Sequence, residues 1–233
     1  MIGFDGKLKA ITFSYDDGVL QDERLVKIFN KYHLKATFNI NSGCFEKPGR
    51  LNIDGVDVEH CKIKAADVKK LYCGHEVAAH TVTHPNLCRL NKEEIIDQVE
   101  QDRLNLSKLV DYNVRGFAYP GGGTNHDERV ANVIKEHTGA KYARTIICSH
   151  NFDMQTDLYR FKPTIYHIDF DDMFALGEKF LHLKADRPQL FYIWGHSYEF
   201  DVADTWDRFE QFCEMMSGQS DIFYGTNAEV LGI

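Results

Sequence analysis

The stretch Lys9-Ala10-Ile11-Thr12-Phe13-Ser14-Tyr15-Asp16-Asp17-Gly18 decides the fold. An apolar, aromatic and β-branched run that stops at two carboxylates and a glycine reads as a strand, Lys9 to Tyr15, with polar groups at its C-terminal end. A helix from Asp22 to Tyr32 follows, with Leu25, Ile28 and Phe29 at helical spacing, and Ala36 to Ile40 reads as the second strand. The alternation continues outward. Strands are predicted at 76–79, 114–119, 141–147, 161–167, 189–194 and 222–224, and helices at 65–72, 91–110, 127–137, 171–183 and 204–216. Strands alternating with helices describe βα units around a parallel sheet or barrel. Asn91 and Glu94 form a capping-box pattern ahead of the longest helix. Between Ser42 and Lys62 the chain reads as a loop, with a hairpin at Asp54-Gly55 that overhangs the strand ends.

Composition bounds the possibilities. With 233 residues, 43% of them apolar, the chain is long enough for one sizeable core, so 1–233 is read as a single domain. A net charge of −8 without long like-charge runs gives no electrostatic reason to hold nucleic acid or an anionic membrane. No stretch approaches the roughly 18 apolar residues of a spanning helix. The segment Met1-Ile2-Gly3-Phe4-Asp5-Gly6 lacks the basic and apolar regions of an export signal, and a cytoplasmic location is expected. Six cysteines, Cys44, Cys61, Cys73, Cys88, Cys148 and Cys213, form no C-x-x-C pair and are expected as free thiols.

Three clusters carry chemistry, each at a strand end. Asp16 and Asp17 sit where the chain turns, so both can reach one pocket, although Asp-Asp-Gly is also a common turn. His80 and His84, four apart, would converge on one metal if carried on a turn of helix; hydrogen-bonded core histidines are the alternative. His196 closes the apolar run Gln189-Leu190-Phe191-Tyr192-Ile193-Trp194-Gly195, where a buried, satisfied histidine is the alternative. Their combination on one rim points to hydrolysis around a bound metal.

In these motifs the chain resembles the polysaccharide deacetylases of carbohydrate esterase family 4. Ser14-Tyr15-Asp16-Asp17-Gly18 is similar to that family's Thr-Phe-Asp-Asp-Gly, and His80 to His84 to its His-x-x-x-His. Ala118-Tyr119-Pro120-Gly121-Gly122 resembles its Arg-Pro-Pro-Tyr-Gly, and Trp194-Gly195-His196 its Leu-x-His. The likeness spans roughly residues 9 to 200 with the order preserved. It implies a deformed, TIM-like (β/α) barrel of seven or eight strands with the site on the C-terminal rim. It also implies that Asp17, His80 and His84 bind a divalent metal, zinc first, with cobalt, nickel or iron also suited to that donor set. Asp16 is then the general base toward a metal-activated water and His196 the acid toward the leaving group, and the Gly121 N–H stabilises the oxyanion.

The implied substrate is an N-acetylated sugar or oligosaccharide, with Tyr119, Pro120 and Trp194 against it and Tyr15 and Tyr198 as further stacking candidates. Two alternatives stay open: a metal amidohydrolase acting on a small non-sugar amide, and a non-catalytic metal- or carbohydrate-binding barrel. The chain departs from the family pattern twice. Ala118 stands where the third motif opens with the arginine that orients the base, and Arg144 on the next strand is the expected substitute, with Arg115 a poorer one. The fourth motif's Asp-Trp pair is blurred to Asp169-Phe170-Asp171-Asp172, and Glu199 competes with these aspartates for contact with His196. His33, His60, His75, His126, His137 and His150 are read as ordinary surface or capping residues.

Overall fold

The structure, a computed structural model, describes residues 4–233; of the chain start read for an export signal, Met1–Gly3 lie outside them. Strand β1 (Lys9–Asp16) is buried along its whole length and is the sheet's axis. It is followed by α1 (Asp22–Lys31), β2 (Ala36–Ile40), the hairpin pair β3 (Arg50–Ile53) and β4 (Val56–Glu59), the short α2 (Val68–Leu71), and β5 (Glu76–Ala79). Then come α3 (Lys92–Val110), β6 (Gly116–Ala118), α4 (Glu128–His137), β7 (Tyr142–Arg144), β8 (Ile165–Tyr166), α5 (Phe170–His182) and β9 (Gln189–Gly195). The chain closes with α6 (Glu199–Val202), α7 (Trp206–Met216), β10 (Ile222–Tyr224) and α8 (Asn227–Leu231).

Seven parallel strands run in the order β7-β6-β5-β2-β1-β9-β8, curled into a barrel-like sheet with β10 added beside β1. The deformation has a local cause. One edge of β1 pairs with β9 from Lys9 to Tyr15, whereas the other is shared, Lys9–Ile11 facing β10 and Phe13–Asp16 facing β2. The two ends of the sheet approach through residues 161–166. Phe161 exchanges backbone bonds with Ala143 and Thr145, and Thr164 N–H donates to the Tyr192 carbonyl. Pro163, which has no N–H, interrupts this segment, so the strand read at 161–167 is reduced to a bridge at Phe161 and the two-residue β8.

The helices bury the stripes read from sequence: Leu25, Ile28 and Phe29 on α1, and Ile95, Val99 and Leu106 on α3, whose capping box forms at Asn91 and Glu94. The helix read at 65–72 is a 3₁₀ turn at Ala65–Asp67 followed by one α-helical turn. Helix α8, with its own capping box at Thr226 and Glu229, and the single-turn α6 are absent from the sequence reading because neither is long enough to show a period. The Asp54-Gly55 hairpin forms as read. All six cysteines are unpaired, and no helix among the described residues is long and apolar enough to cross a membrane.

Candidate active site

The C-terminal ends of β1, β5, β7 and β9 converge, and the side chains they carry divide into two groups. In the first, Asp17 leaves β1 with φ 85°, a left-handed kink that turns its carboxylate into the same cavity as Asp16 instead of to the opposite face. His80 and His84 do not lie on a helical turn, contrary to the sequence reading. Beyond β5 the chain is a loop with φ 69° at Thr81 and 63° at His84, and these kinks bring the imidazole centroids to 4.9 Å. One donor atom from each of Asp17, His80 and His84 lies within 4.8 Å of the other two. His80 Nδ1 donates to the Ala118 carbonyl at 2.9 Å, so its bare Nε2 faces the cavity, buried and without a protein partner.

Burial lowers the His80 pKa to about 4, and burial likewise lowers that of His84, so both rings are neutral near pH 7. An orphaned imidazole nitrogen beside a second neutral imidazole and a carboxylate is the donor set of a divalent cation site. Supporting groups hold it in place. The buried Asp102 carboxylate accepts from His80 N at 2.8 Å and Ser42 N at 2.6 Å, and Asn41 Nδ2 donates to the Thr81 carbonyl at 3.0 Å.

The second group is charged. Arg144, fully buried, places Nη2 2.5 Å from both oxygens of Asp16, and Asn39 Nδ2 donates to Asp16 Oδ1 at 2.8 Å. Strand register explains the pairing: Ala118 and Arg144 are directly opposed on β6 and β7. A guanidinium one strand over thus reaches the carboxylate that an arginine at 118 would hold. Burial alone would raise the Asp16 pKa, but the Arg144 charge and hydrogen bond, together with His80 and His196, outweigh it and the carboxyl stays below its usual range. Arg115 makes no contact with Asp16; it is exposed at the opposite end of β6.

His196 Nε2 lies 4.0 Å from Asp16 Oδ2. Its acidic partner is Glu199, one helical turn on: Oε1 is 3.2 Å from His196 Nδ1 and Oε2 accepts from the His196 N–H at 3.0 Å. Glu199 also receives the Tyr166 hydroxyl and His167 Nε2, the latter at 2.7 Å, and His167 Nδ1 is 3.1 Å from the Tyr15 hydroxyl. Against the downward pull of burial, Glu199 and then the site aspartates raise the His196 pKa to about 9. The aspartates of the blurred motif lie elsewhere: Asp171 pairs with Arg208 and is exposed, and Asp169 precedes α5.

The aromatic residues expected to meet substrate turn out to be buried. Tyr119 is fully enclosed, its hydroxyl donating to the Tyr159 carbonyl at 2.7 Å and its ring stacked on His126; Pro120 beside it is buried too. Trp194 stacks between Tyr166, at 4.3 Å, and the Arg144 guanidinium, at 4.7 Å. Tyr15 lies wholly in the core, and Tyr198 is buried between His60 and His196. Of these rings, Trp194 packs on Arg144 and Tyr198 on His196, so both are enclosed against charged groups of the site. Gly121 is exposed at φ 81°, its carbonyl accepts from the buried Asn125 at 2.8 Å, and its N–H donates to no group among the described residues.

His60, read as an ordinary surface residue, lies 3.2 Å from Asp17 Oδ2, and Lys62 Nζ lies 3.2 Å from Asp17 Oδ1. Glu199, His167, His60, Lys62 and Asp102 are the site groups that motif reading missed or left open. Glu199 had a local signal, three residues after His196, and His60 and Lys62 shared one, their i,i+2 spacing on an extended segment.

The polysaccharide deacetylase family model matches residues 5–142. No curated protein sequence matches the chain. Among solved structures, the Xyl-CE4 domain of a multidomain xylanase from the hindgut metagenome of Trinervitermes trinervoides is 15% identical, over 96% of this chain and 90% of that one, with a TM-score of 0.62. A family 4 carbohydrate esterase from Streptomyces lividans in complex with acetate is 15% identical over 94% and 92%, with a TM-score of 0.56. A family 4 pseudoenzyme from Bacillus anthracis is 19% identical over 96% of this chain but only 65% of its own, with a TM-score of 0.55. At these identities the likeness is one of fold.

Proposed function

This chain belongs to the polysaccharide deacetylase family, and from that premise we propose that it is a metal-dependent hydrolase removing acetyl groups from N-acetylated sugars or oligosaccharides. The observation that carries the reading is the pairing, in one cavity, of neutral His80 and His84 beside Asp17 with a protonated His196 beside an ionised Asp16. Asp17, His80 and His84 would hold the cation, zinc being the best match to their donors. A divalent cation bound there supplies Lewis-acid polarisation of the acetyl carbonyl and acidifies water.

The chain's own residues supply the proton transfers. Asp16, fixed by Arg144 and Asn39, accepts a proton from the attacking water, whose oxygen bonds to the carbonyl carbon. The free Gly121 N–H donates to the oxyanion, and Asn125 holds the turn that presents it. His196, oriented and kept protonated by Glu199, gives its proton to the leaving nitrogen as the C–N bond breaks, leaving acetate and an amine. An intracellular N-acetylated mono- or oligosaccharide fits six unpaired thiols.

The test is acetate release from a panel of N-acetyl and O-acetyl sugars by zinc-reconstituted protein, with His84→Ala alongside. Release from N-acetyl sugars that is lost in the variant is expected. Stoichiometric zinc binding with no acetate released from any sugar would move the function to a non-sugar amide or to a binding barrel without turnover.

A further inference from the structure

The β3–β4 hairpin is more than a loop insertion, because its exit strand lies along the end of β1. Val19 and Lys62 form an antiparallel bridge, Leu20 N–H donates to the Cys61 carbonyl at 2.9 Å, and Ile63 N–H donates to the Gly18 carbonyl at 3.0 Å. The hairpin is also clamped from above. Val58 packs with Val19 and Tyr198, with Leu51, Ile53 and Val202 against them, and Gln21 Nε2 donates to the Glu59 carbonyl at 2.8 Å. In this extended exit segment His60 and Lys62, two residues apart, face the same side and straddle Asp17.

They meet Asp17 differently. His60 Nε2 is 3.2 Å from Oδ2, and its ring is set edge-on against Tyr198 at 4.9 Å. Lys62 Nζ donates to the Asp17 carbonyl at 2.8 Å and lies 3.2 Å from Oδ1, the same oxygen that faces His84 Nε2 at 3.6 Å. All three side chains are mostly buried, so these contacts are only weakly screened. An N–H held on one carboxylate oxygen fixes the direction of the other. An ammonium on that other oxygen instead opposes any cation that shares it.

We propose that the hairpin sets the strength with which this site takes a divalent metal: His60 is a positioning residue that aims Asp17 Oδ1 at the ligand cluster, and Lys62 is a built-in competitor for that oxygen. The proposal rests on the reading of Asp17, His80 and His84 as the metal ligands. Its two halves have opposite signs, which a purely structural role for the hairpin does not produce.

The experiment is calorimetric titration of the metal-free full chain with zinc chloride. His60→Ala should weaken binding by about 10–100-fold, the usual cost of losing a partner behind a metal ligand. His60→Gln, which keeps an N–H donor, should recover most of it. Lys62→Met should tighten binding by about tenfold through loss of one partly screened charge, while Lys62→Arg stays near wild type. If His60→Ala fails to fold, His60→Phe keeps the ring against Tyr198, removes the N–H and carries the same expectation. Wild-type affinity in both His60→Ala and Lys62→Met, or weaker binding in Lys62→Met, overturns the hairpin's role alone. A wild-type protein that takes up no zinc overturns the reading of the ligand cluster, and this inference with it.

Discussion

His80 and His196 lie on either side of the same Asp16 carboxylate, each 4.0 Å from Oδ2, yet the fold pushes them to opposite protonation states. His80 has a backbone carbonyl on one nitrogen and no hydrogen-bond partner on the other, so burial outweighs the pull of the Asp16 and Asp17 charges and its pKa falls to about 4. His196 is mostly buried as well, but Glu199 supplies a negative charge and two contacts, and its pKa rises to about 9. Two identical side chains thereby become a lone-pair donor and a proton donor. The choice is made by what occupies the far side of each ring.

The largest break in this contrast comes from unpairing the charge both histidines face. Arg144→Ala leaves the buried Asp16 carboxylate unpaired and should cost about 3–5 kcal/mol in denaturant unfolding. Asp16→Asn with Arg144→Met should recover much of that stability while turnover stays depressed by about 10²–10⁴-fold, the scale of a lost general base. Recovery of activity with stability would show that Asp16 is only a structural ion-pair partner.

A sharper, smaller effect separates the two histidines by pH. A folded-state pKa of about 9, above the ordinary 6.5, means that His196 stabilises the fold and carries its proton fully below about pH 6.5, and loses both as pH rises through 9. The descending limb of the rate profile should therefore lie near pH 9. Glu199→Gln, isosteric and uncharged, should move that limb toward neutrality, whereas a limb that stays in place would remove Glu199 from the proton-donating half.

The smallest effect tests the boundary between site and core. Because the Tyr119 hydroxyl bonds the Tyr159 carbonyl beneath the rim, Tyr119→Phe should lose about 1 kcal/mol of stability with KM for an acetylated sugar unchanged. A raised KM with unchanged stability would return Tyr119 to the substrate surface.

Most of the βα order was legible because strand and helix periods are local, as in the fully buried β1 and β9 and the capped α3. Errors fell where a single residue or turn decided the outcome: Pro163 splitting a strand, α6 and α8 too short for a period, and a loop instead of a helix under His84. Motif spacing also picked out Asp16, Asp17, His80, His84 and His196, which the fold gathers in one cavity, and strand position picked out Arg144, which pairs with Asp16. Tyr119, Pro120 and Trp194, expected against substrate, are buried, because position near a strand end does not say whether a ring is exposed or enclosed.

Periodicity and short motifs sufficed to read the parallel βα architecture and to single out Asp16, Asp17, His80, His84 and His196 as candidates. Their surroundings exist only in the folded chain: Glu199, itself bonded to His167, on His196, His60 and Lys62 on Asp17, and Asp102 on the backbone of His80. The physical reason is that a side chain's charge state depends on burial and on partners tens to more than a hundred residues away, as with Arg144 and Asp16. Distances of that kind exist only after the strands have found their register.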